Sequence, residues 1–158
     1  MLQKVLLFSL LIVLAVSCNK SDSSPNFSAI DKQIIEGYLA ANNLTASAHS
    51  TSSGLYYIIT TPGGATHPTL NSNVTAFYKG YLANGTIFDQ STYTNNKAAT
   101  FALSEVIRGW QEGLQLIGVS GKIKLLVPSA LGYGNRTVGS IPANSVLIFD
   151  INLVSFTY

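Results

Sequence analysis

The spacing of apolar residues changes several times along this chain, and each change predicts an element. Val5 to Val16 is a nearly unbroken apolar run without a charge, preceded by the short basic start Met1 to Lys4. The run is too short for a bilayer span, which needs about 20 residues, but it fits the core of a signal peptide. Asn19 to Phe27 is polar, contains a proline and has no period, so it reads as a tether. From Ser28 to Asn43 the spacing becomes helical: Ile30, Ile34, Ile35, Tyr38 and Leu39 form one stripe. Ser28 and Asp31 resemble a capping box at its start, and Asn42-Asn43 is a stop. Thr45 to Ser53 is a polar linker.

Strand patterns follow. Leu55 to Thr60 is aromatic and β-branched, and Pro62-Gly63-Gly64 ends it. Val74 to Leu82 alternates, Asn84-Gly85 is a strong hairpin turn, and Thr86 to Asp89 returns as the partner strand. Glu105 to Ile117 carries Val106, Trp110, Leu114 and Ile117 at helical spacing, weakened by Gly109 and Gly113. Lys122 to Val127 and Val146 to Phe156 are strands. The pattern predicts an α+β fold, dominated by antiparallel strands around one short embedded helix, with a short N-terminal helical extension.

Length divides this pattern without ambiguity about scale, because 158 residues suffice for one domain with a real core. The predicted organisation is a signal peptide over 1–17, a tether over 18–27, a helical extension and linker over 28–53, and the main domain over 54–158. The formal net charge is only +2 and the basic residues are scattered, which argues against a nucleic-acid partner. Cys18 is the sole cysteine, so no internal disulfide forms. It ends Ala15-Val16-Ser17-Cys18, which resembles a bacterial lipobox with Ala15 where Leu is usual and a small Ser17 at the cleavage side. Cleavage before Cys18 and its acylation are therefore expected, the plainer alternative being an ordinary cleaved signal peptide. The expected location is the cell envelope, anchored by lipid. Asn19 rather than Asp after the cysteine argues against retention at the inner membrane under Gram-negative sorting rules, so the outer membrane facing the periplasm is the expected place, a surface-facing domain being the alternative.

Candidate chemistry is defined first by what is missing. His49 and His67 lie in polar, loop-like segments, no Cys–His–Asp set exists, and no metal-ligand spacing or phosphate-cradling loop is present. No metal or cofactor is expected. The remaining chemistry-bearing residues are aromatics near turns and element ends: Tyr78, Phe88, Trp110, Tyr133 and Phe149. Taken one at a time, each reads as core.

Four blocks change that reading. Val74 to Ser91 (VTAFYKGYLANGTIFDQS), Phe101 to Leu114 (FALSEVIRGWQEGL), Val127 to Gly134 (VPSALGYG) and Ile141 to Leu153 (IPANSVLIFDINL) resemble, in order, the FKBP-type peptidyl-prolyl isomerases. The resemblance implies a twisted antiparallel sheet curled around the short helix, and a catalyst of Xaa–Pro isomerisation that folds exported proteins without a cofactor. Residue by residue, Tyr78, Phe88, Trp110, Tyr133 and Phe149 match the family's aromatic pocket. Val106, Ile107 and Ile141 match its aliphatic wall, with Phe101 beside them, and Asp89 matches the acid next to the pocket Phe. By that match Trp110 is the floor, the Ile107 N–H and Tyr133 hydroxyl hold substrate carbonyls, and Asp89 either orients the twisted amide or ties down its hairpin. Proline-containing polypeptides are the implied partners, and macrolides an implied ligand class. A module that binds proline segments with slight turnover is the alternative.

The residue types suit the task. Rotation about an Xaa–Pro bond breaks amide resonance over a barrier of roughly 18–20 kcal/mol. The twisted amide has lost the charge separation of the planar one, so an apolar pocket favours it by differential binding. Three departures from the family stand out: Ala99 where a second Phe is frequent, a short segment from Asn95 to Thr100, and Leu131 in place of a frequent Tyr. The loop Asn135 to Ser140 is expected to overhang the pocket, with Val138 about where many members carry a bulkier residue.

Overall fold

The computed structural model describes residues 26–91 and 97–158. The expected signal peptide, Cys18 and most of the tether lie outside the described residues, as does part of the short segment before Thr100. Within them, helix α1 (Phe27–Ala41) precedes strands β1 (His49–Ser50), β2 (Tyr56–Thr61), β3 (Asn73–Leu82), β4 (Ile87–Gln90) and β5 (Ala99–Ala102). Helix α2 (Arg108–Leu114) and strands β6 (Lys122–Val127) and β7 (Leu147–Thr157) complete the fold. All pairings are antiparallel, in the order β1-β2-β6-β7-β3-β4, and β5 shares the β4 edge of β3. The fold is the expected α+β arrangement.

Period-two alternation divides the sheet's side chains between two cores. On β6 and β7, Ile123, Leu125, Val127, Leu147, Phe149 and Ile151 face α2 and its flanking loops. Leu126 and Ile148 face the other way and pack with Ile35 and Leu39 of α1. The sheet is thus sandwiched at one end by two helices on opposite faces. Helix α1 is part of the body of the domain, and the polar linker after it is not a free connection: His49 and Ser50 pair with Tyr57 and Tyr56 as an edge strand.

Helix α1 differs from expectation in how it starts and which face it buries. Its N-cap is Asn26, whose side-chain oxygen accepts from Ala29 N–H at 3.3 Å, so the Ser28–Asp31 capping box does not form. Asp31 is instead 1% exposed, on the same face as Ile35 and Leu39, while Ile30 and Ile34 are exposed. The apolar stripe is broader than one contact face, and tertiary docking chose the edge that carries the carboxylate. The C-terminus behaves as read: Asn42 is the C-cap, and Asn43 takes a positive φ of 56°.

The embedded helix is shorter than its apolar pattern. Leu103–Glu105 is a 3₁₀ turn, Val106 and Ile107 are extended, and only Arg108–Leu114 is α-helical. Gly109 and Gly113 explain this helix rather than weaken it. A Cβ at Gly109 would lie 2.5 Å from Val127 Cγ1, and one at Gly113 would lie 2.5 Å from Leu125 Cδ2. Both glycines let the helix sit directly on β6. On an exposed helix Gly→Ala gains up to about 1 kcal/mol. Here Gly109→Ala should reverse that sign and destabilise by about 1–3 kcal/mol, because Val127 has stiff, β-branched γ-carbons and no room to yield. Urea unfolding of the two proteins checks it, and a more stable variant would show that the approach is not tight.

Candidate active site

The sequence places its aromatic residues on five elements, and the fold brings them to one cavity of about 440 Å³. β3 supplies Tyr78, β4 Phe88 and Asp89, β5 Phe101, α2 Trp110, and β7 Phe149. The extended pair before α2 adds Val106 and Ile107, and the loops after β6 add Tyr133 and Ile141. All ten pocket residues expected from the sequence therefore line the same space. Glu105, Val138, Gly139 and Ser140 line it too. Among the described residues no cluster of His, Cys, Asp or Glu is arranged to hold a metal.

Trp110 organises the rings. It meets Tyr78, Phe101 and Phe149 edge-on, with centroids 5.2, 5.6 and 5.4 Å away. Phe88 in turn stands edge-on to Phe149 at 5.6 Å. Edge-to-face contact puts the positive rim of one ring on the negative face of the next, worth about 0.5–1.5 kcal/mol per pair beyond area burial. Gly80 makes the last pair possible: a Cβ there would lie 2.6 Å from Phe88 Cε2 and 2.9 Å from Phe149 Cε1. The role of this glycine was not read from the sequence, although its place in Tyr78-Lys79-Gly80-Tyr81, a strand interior where glycine is otherwise unfavourable, was the available signal.

The polar groups at the cavity are few. Tyr78 Oη donates to Asp89 Oδ2 at 2.6 Å, tying β3 to β4 across the mouth of the hairpin. Burial first, and then the hydrogen bond and charge of Asp89, hold the Tyr78 phenol well above its ordinary pKa. Tyr78 therefore remains a donor at neutral pH. The Ile107 N–H lies at the N-cap of α2 and donates to no backbone carbonyl among the described residues, while its own carbonyl accepts from Trp110 and Gln111. Gln111, a residue the sequence reading passed over, donates from Nε2 to the carbonyls of Ser104 at 3.1 Å and Val106 at 2.9 Å. Its side chain pins the extended pair that presents Val106 and Ile107. The overhanging loop closes on itself through reciprocal bonds between Val138 and Ile141, at 3.0 and 2.9 Å, with Gly139 at a φ of 55°.

Residues 64–154 match the sequence profile of the FKBP-type peptidyl-prolyl cis-trans isomerases. The chain belongs to this family. It is 45% identical over 139 residues to an FKBP-type peptidyl-prolyl cis-trans isomerase, FkpA, of Buchnera aphidicola, covering 85% of this chain and 55% of that protein. The crystal structure of Escherichia coli FkpA superposes with a TM-score of 0.72 at 36% identity, covering 82% of this chain and 61% of the other. A Pseudomonas syringae peptidyl-prolyl cis-trans isomerase superposes with a TM-score of 0.70 at 29% identity, covering 85% of this chain and 98% of the other. This FKBP-type chain thus spans about half of its FkpA relative but nearly the whole of the shorter Pseudomonas structure.

In this family member the central Trp is both floor and core. Trp110 is 3% exposed, and its Nε1 is buried without a partner among the described residues. The sequence alone suggests that truncating a pocket-floor Trp costs less stability than truncating a core one; three ring contacts remove that distinction. Trp110→Ala should destabilise by about 3–5 kcal/mol. Trp110→Phe should cost clearly less, because it keeps a ring and removes the unpaired donor. Denaturant melts of the three proteins decide, and equal losses would overturn the reading of Nε1 as an uncompensated group.

Proposed function

We propose that this chain is a peptidyl-prolyl cis-trans isomerase acting on Xaa–Pro bonds of exported proteins. The observation that carries this reading is the cavity itself: six aromatic residues and an aliphatic wall line a space of about 440 Å³, room for a proline ring and its neighbours, with the Ile107 N–H, the phenols of Tyr78 and Tyr133 and the carboxyl groups of Asp89 and Glu105 among its polar groups. Trp110 is the floor for the proline ring, and Tyr78, Phe88, Phe101, Val106, Ile141 and Phe149 wall it. The Ile107 N–H and Tyr133 hydroxyl hold carbonyls on either side of the reacting bond. Asp89, engaged through one oxygen by Tyr78, holds the hairpin and sets a carboxyl group at the cavity. The pocket strips water from the amide. The planar, polar ground state loses more by this than the twisted state does, so the barrier falls.

The full chain should accelerate cis–trans exchange in a protease-coupled assay of Xaa–Pro tetrapeptides, with preference for an apolar residue before proline. A chelator should leave the rate unchanged. If clean, folded protein accelerates no member of the series yet binds proline peptides, the activity reading fails and the binding or chaperone module replaces it. Macrolides are proposed as ligands of the same cavity, with a lower wall where Ala99 replaces a frequent Phe.

We also propose that the domain is anchored in the cell envelope by lipid on Cys18, at the outer membrane facing the periplasm. Support comes from the Val5–Val16 core, from Ser17 at the cleavage side, and from Cys18 being the sole cysteine. Wild type should label with acyl chain and fractionate with membranes, and Cys18→Ser should abolish both. A soluble wild-type protein with an N-terminus elsewhere and no lipid mass would sink the anchor and leave the isomerase reading untouched.

A further inference from the structure

We propose that Asp31, on the N-terminal helix, is a positioning residue for the isomerase site: it fixes the turn that presents Tyr133. The inference rests on the isomerase reading for the role of Tyr133, but its geometry stands independently. Asp31 is 1% exposed and lies outside residues 64–154 that match the family profile. Its Oδ2 accepts two hydrogen bonds from one residue, from the Ser129 N–H at 2.8 Å and from Ser129 Oγ at 2.7 Å.

Ser129 opens the 3₁₀ turn Ser129–Leu131, and the residue before it is Pro128, which supplies no capping side chain. The first N–H of such a turn has no partner within the turn. Asp31 supplies that partner from another element, as a charged cap. The same Ser129 then holds both flanks of Tyr133. Its carbonyl accepts from Gly132 N–H at 3.0 Å and from Gly134 N–H at 2.8 Å. The Gly134 carbonyl accepts from Asn144 N–H at 2.7 Å, closing the loop over the cavity. One carboxylate thus fixes the residue from which the Tyr133 segment is hung.

The helix gives that carboxylate a firm base. Ile35 and Leu39 are buried beside it, and Tyr38 Oη lies 3.2 Å from Tyr81 Oη. Asp31 is a poor choice for stability alone. It is a buried carboxyl group that among the described residues has no ion pair and no partner for Oδ1, and the adjacent Lys32 pairs with Glu36 instead. Burial of this kind is costly, and an apolar residue would pack the site more cheaply. What the carboxylate adds is directional: two donors on one oxygen define where Ser129 sits.

The test uses the full chain with Asp31→Ala, Asp31→Asn, Tyr133→Phe, and Asp31→Ala combined with Tyr133→Phe. kcat/KM is measured on one Xaa–Pro peptide, at a temperature where denaturant melts show each protein folded. Asp31→Ala should lower kcat/KM about tenfold, as expected for loss of roughly one charge-assisted hydrogen bond. Asp31→Asn should restore most of it, because the amide oxygen accepts the same two bonds. In the Tyr133→Phe background Asp31→Ala should cost little more, since the hydroxyl it positions is gone. Additive losses would overturn the proposal. A second readout needs no activity: amide exchange at Gly132 and Gly134 should speed about tenfold in Asp31→Ala relative to amides of β3 and β7. Unchanged exchange there, or a uniform rise across the sheet, would also overturn it. If Asp31→Ala does not fold, Ser129→Ala carries both measurements, because it removes the Oγ bond and leaves the N–H bond. An inactive wild type would defeat the isomerase reading, and the exchange comparison would still decide the positioning role.

Discussion

The register between β3 and β7 is the constraint on which the rest of this molecule depends. It runs from Asn73 opposite Thr157 to Leu82 opposite Leu147, with one irregularity at Thr75/Ala76. Because side chains alternate faces, a slip of one residue would turn every one of them over. The observed register sets Tyr78 against Ile151 and Gly80 against Phe149, all on the α2 face. Gly80 opposite Phe149 leaves the volume that Phe88 fills from β4. β3 then carries β4 and β5 along its other edge, and these deliver Phe88, Asp89 and Phe101. One strand pairing thus decides the positions of most of the cavity's rings.

The site that results is built to exclude water more than to place charge. Its rings hold one another edge-on around Trp110, so the apolar surface is already packed in the free protein. Preorganisation of this kind avoids an ordering cost at the moment of binding. The few polar groups are held as tightly as the rings: Tyr78 on Asp89, and the Val106–Ile107 pair by the side chain of Gln111. Core packing and site geometry are therefore the same contacts. Replacing a ring such as Trp110 disturbs both.

Helix α1 extends this logic to the far side of the sheet. It covers a second core built on Ile58, Tyr81, Leu126 and Ile148, the outward residues of strands whose inward neighbours form the first core. Among its polar contacts, Tyr38 with Tyr81 and Asp31 with Ser129 tie it to the fold, beside a longer bond from Tyr56 to Glu36. The first reaches the sheet and the second reaches the turn beside the pocket. A segment preceding the family-matched residues is in this way mechanically continuous with the site.

Sequence alone determined the elements whose local pattern is strong. The strand Lys122 to Val127 coincides with β6, the Val74 to Leu82 alternation with β3 to within one residue, and the Asn42-Asn43 stop with the end of α1, because alternation, turn chemistry and caps are local physics. It also determined the pocket membership of ten residues, but only through a resemblance over four ordered blocks; each aromatic alone was indistinguishable from core. What only the tertiary structure decided was set by partners distant in sequence. β5 and β1 exist because β3 and β2 offer free edges. The embedded helix shortened to Arg108–Leu114 because Val106 and Ile107 are extended beside the cavity, and its glycines became assets once β6 lay against them. Asp31 left the role of a local cap and became a buried one for Ser129, 98 residues away, because the orphan N–H of that turn was the stronger claim on its oxygen. A local pattern states what a segment can do, and only the contacts it meets across the fold select which of those it does.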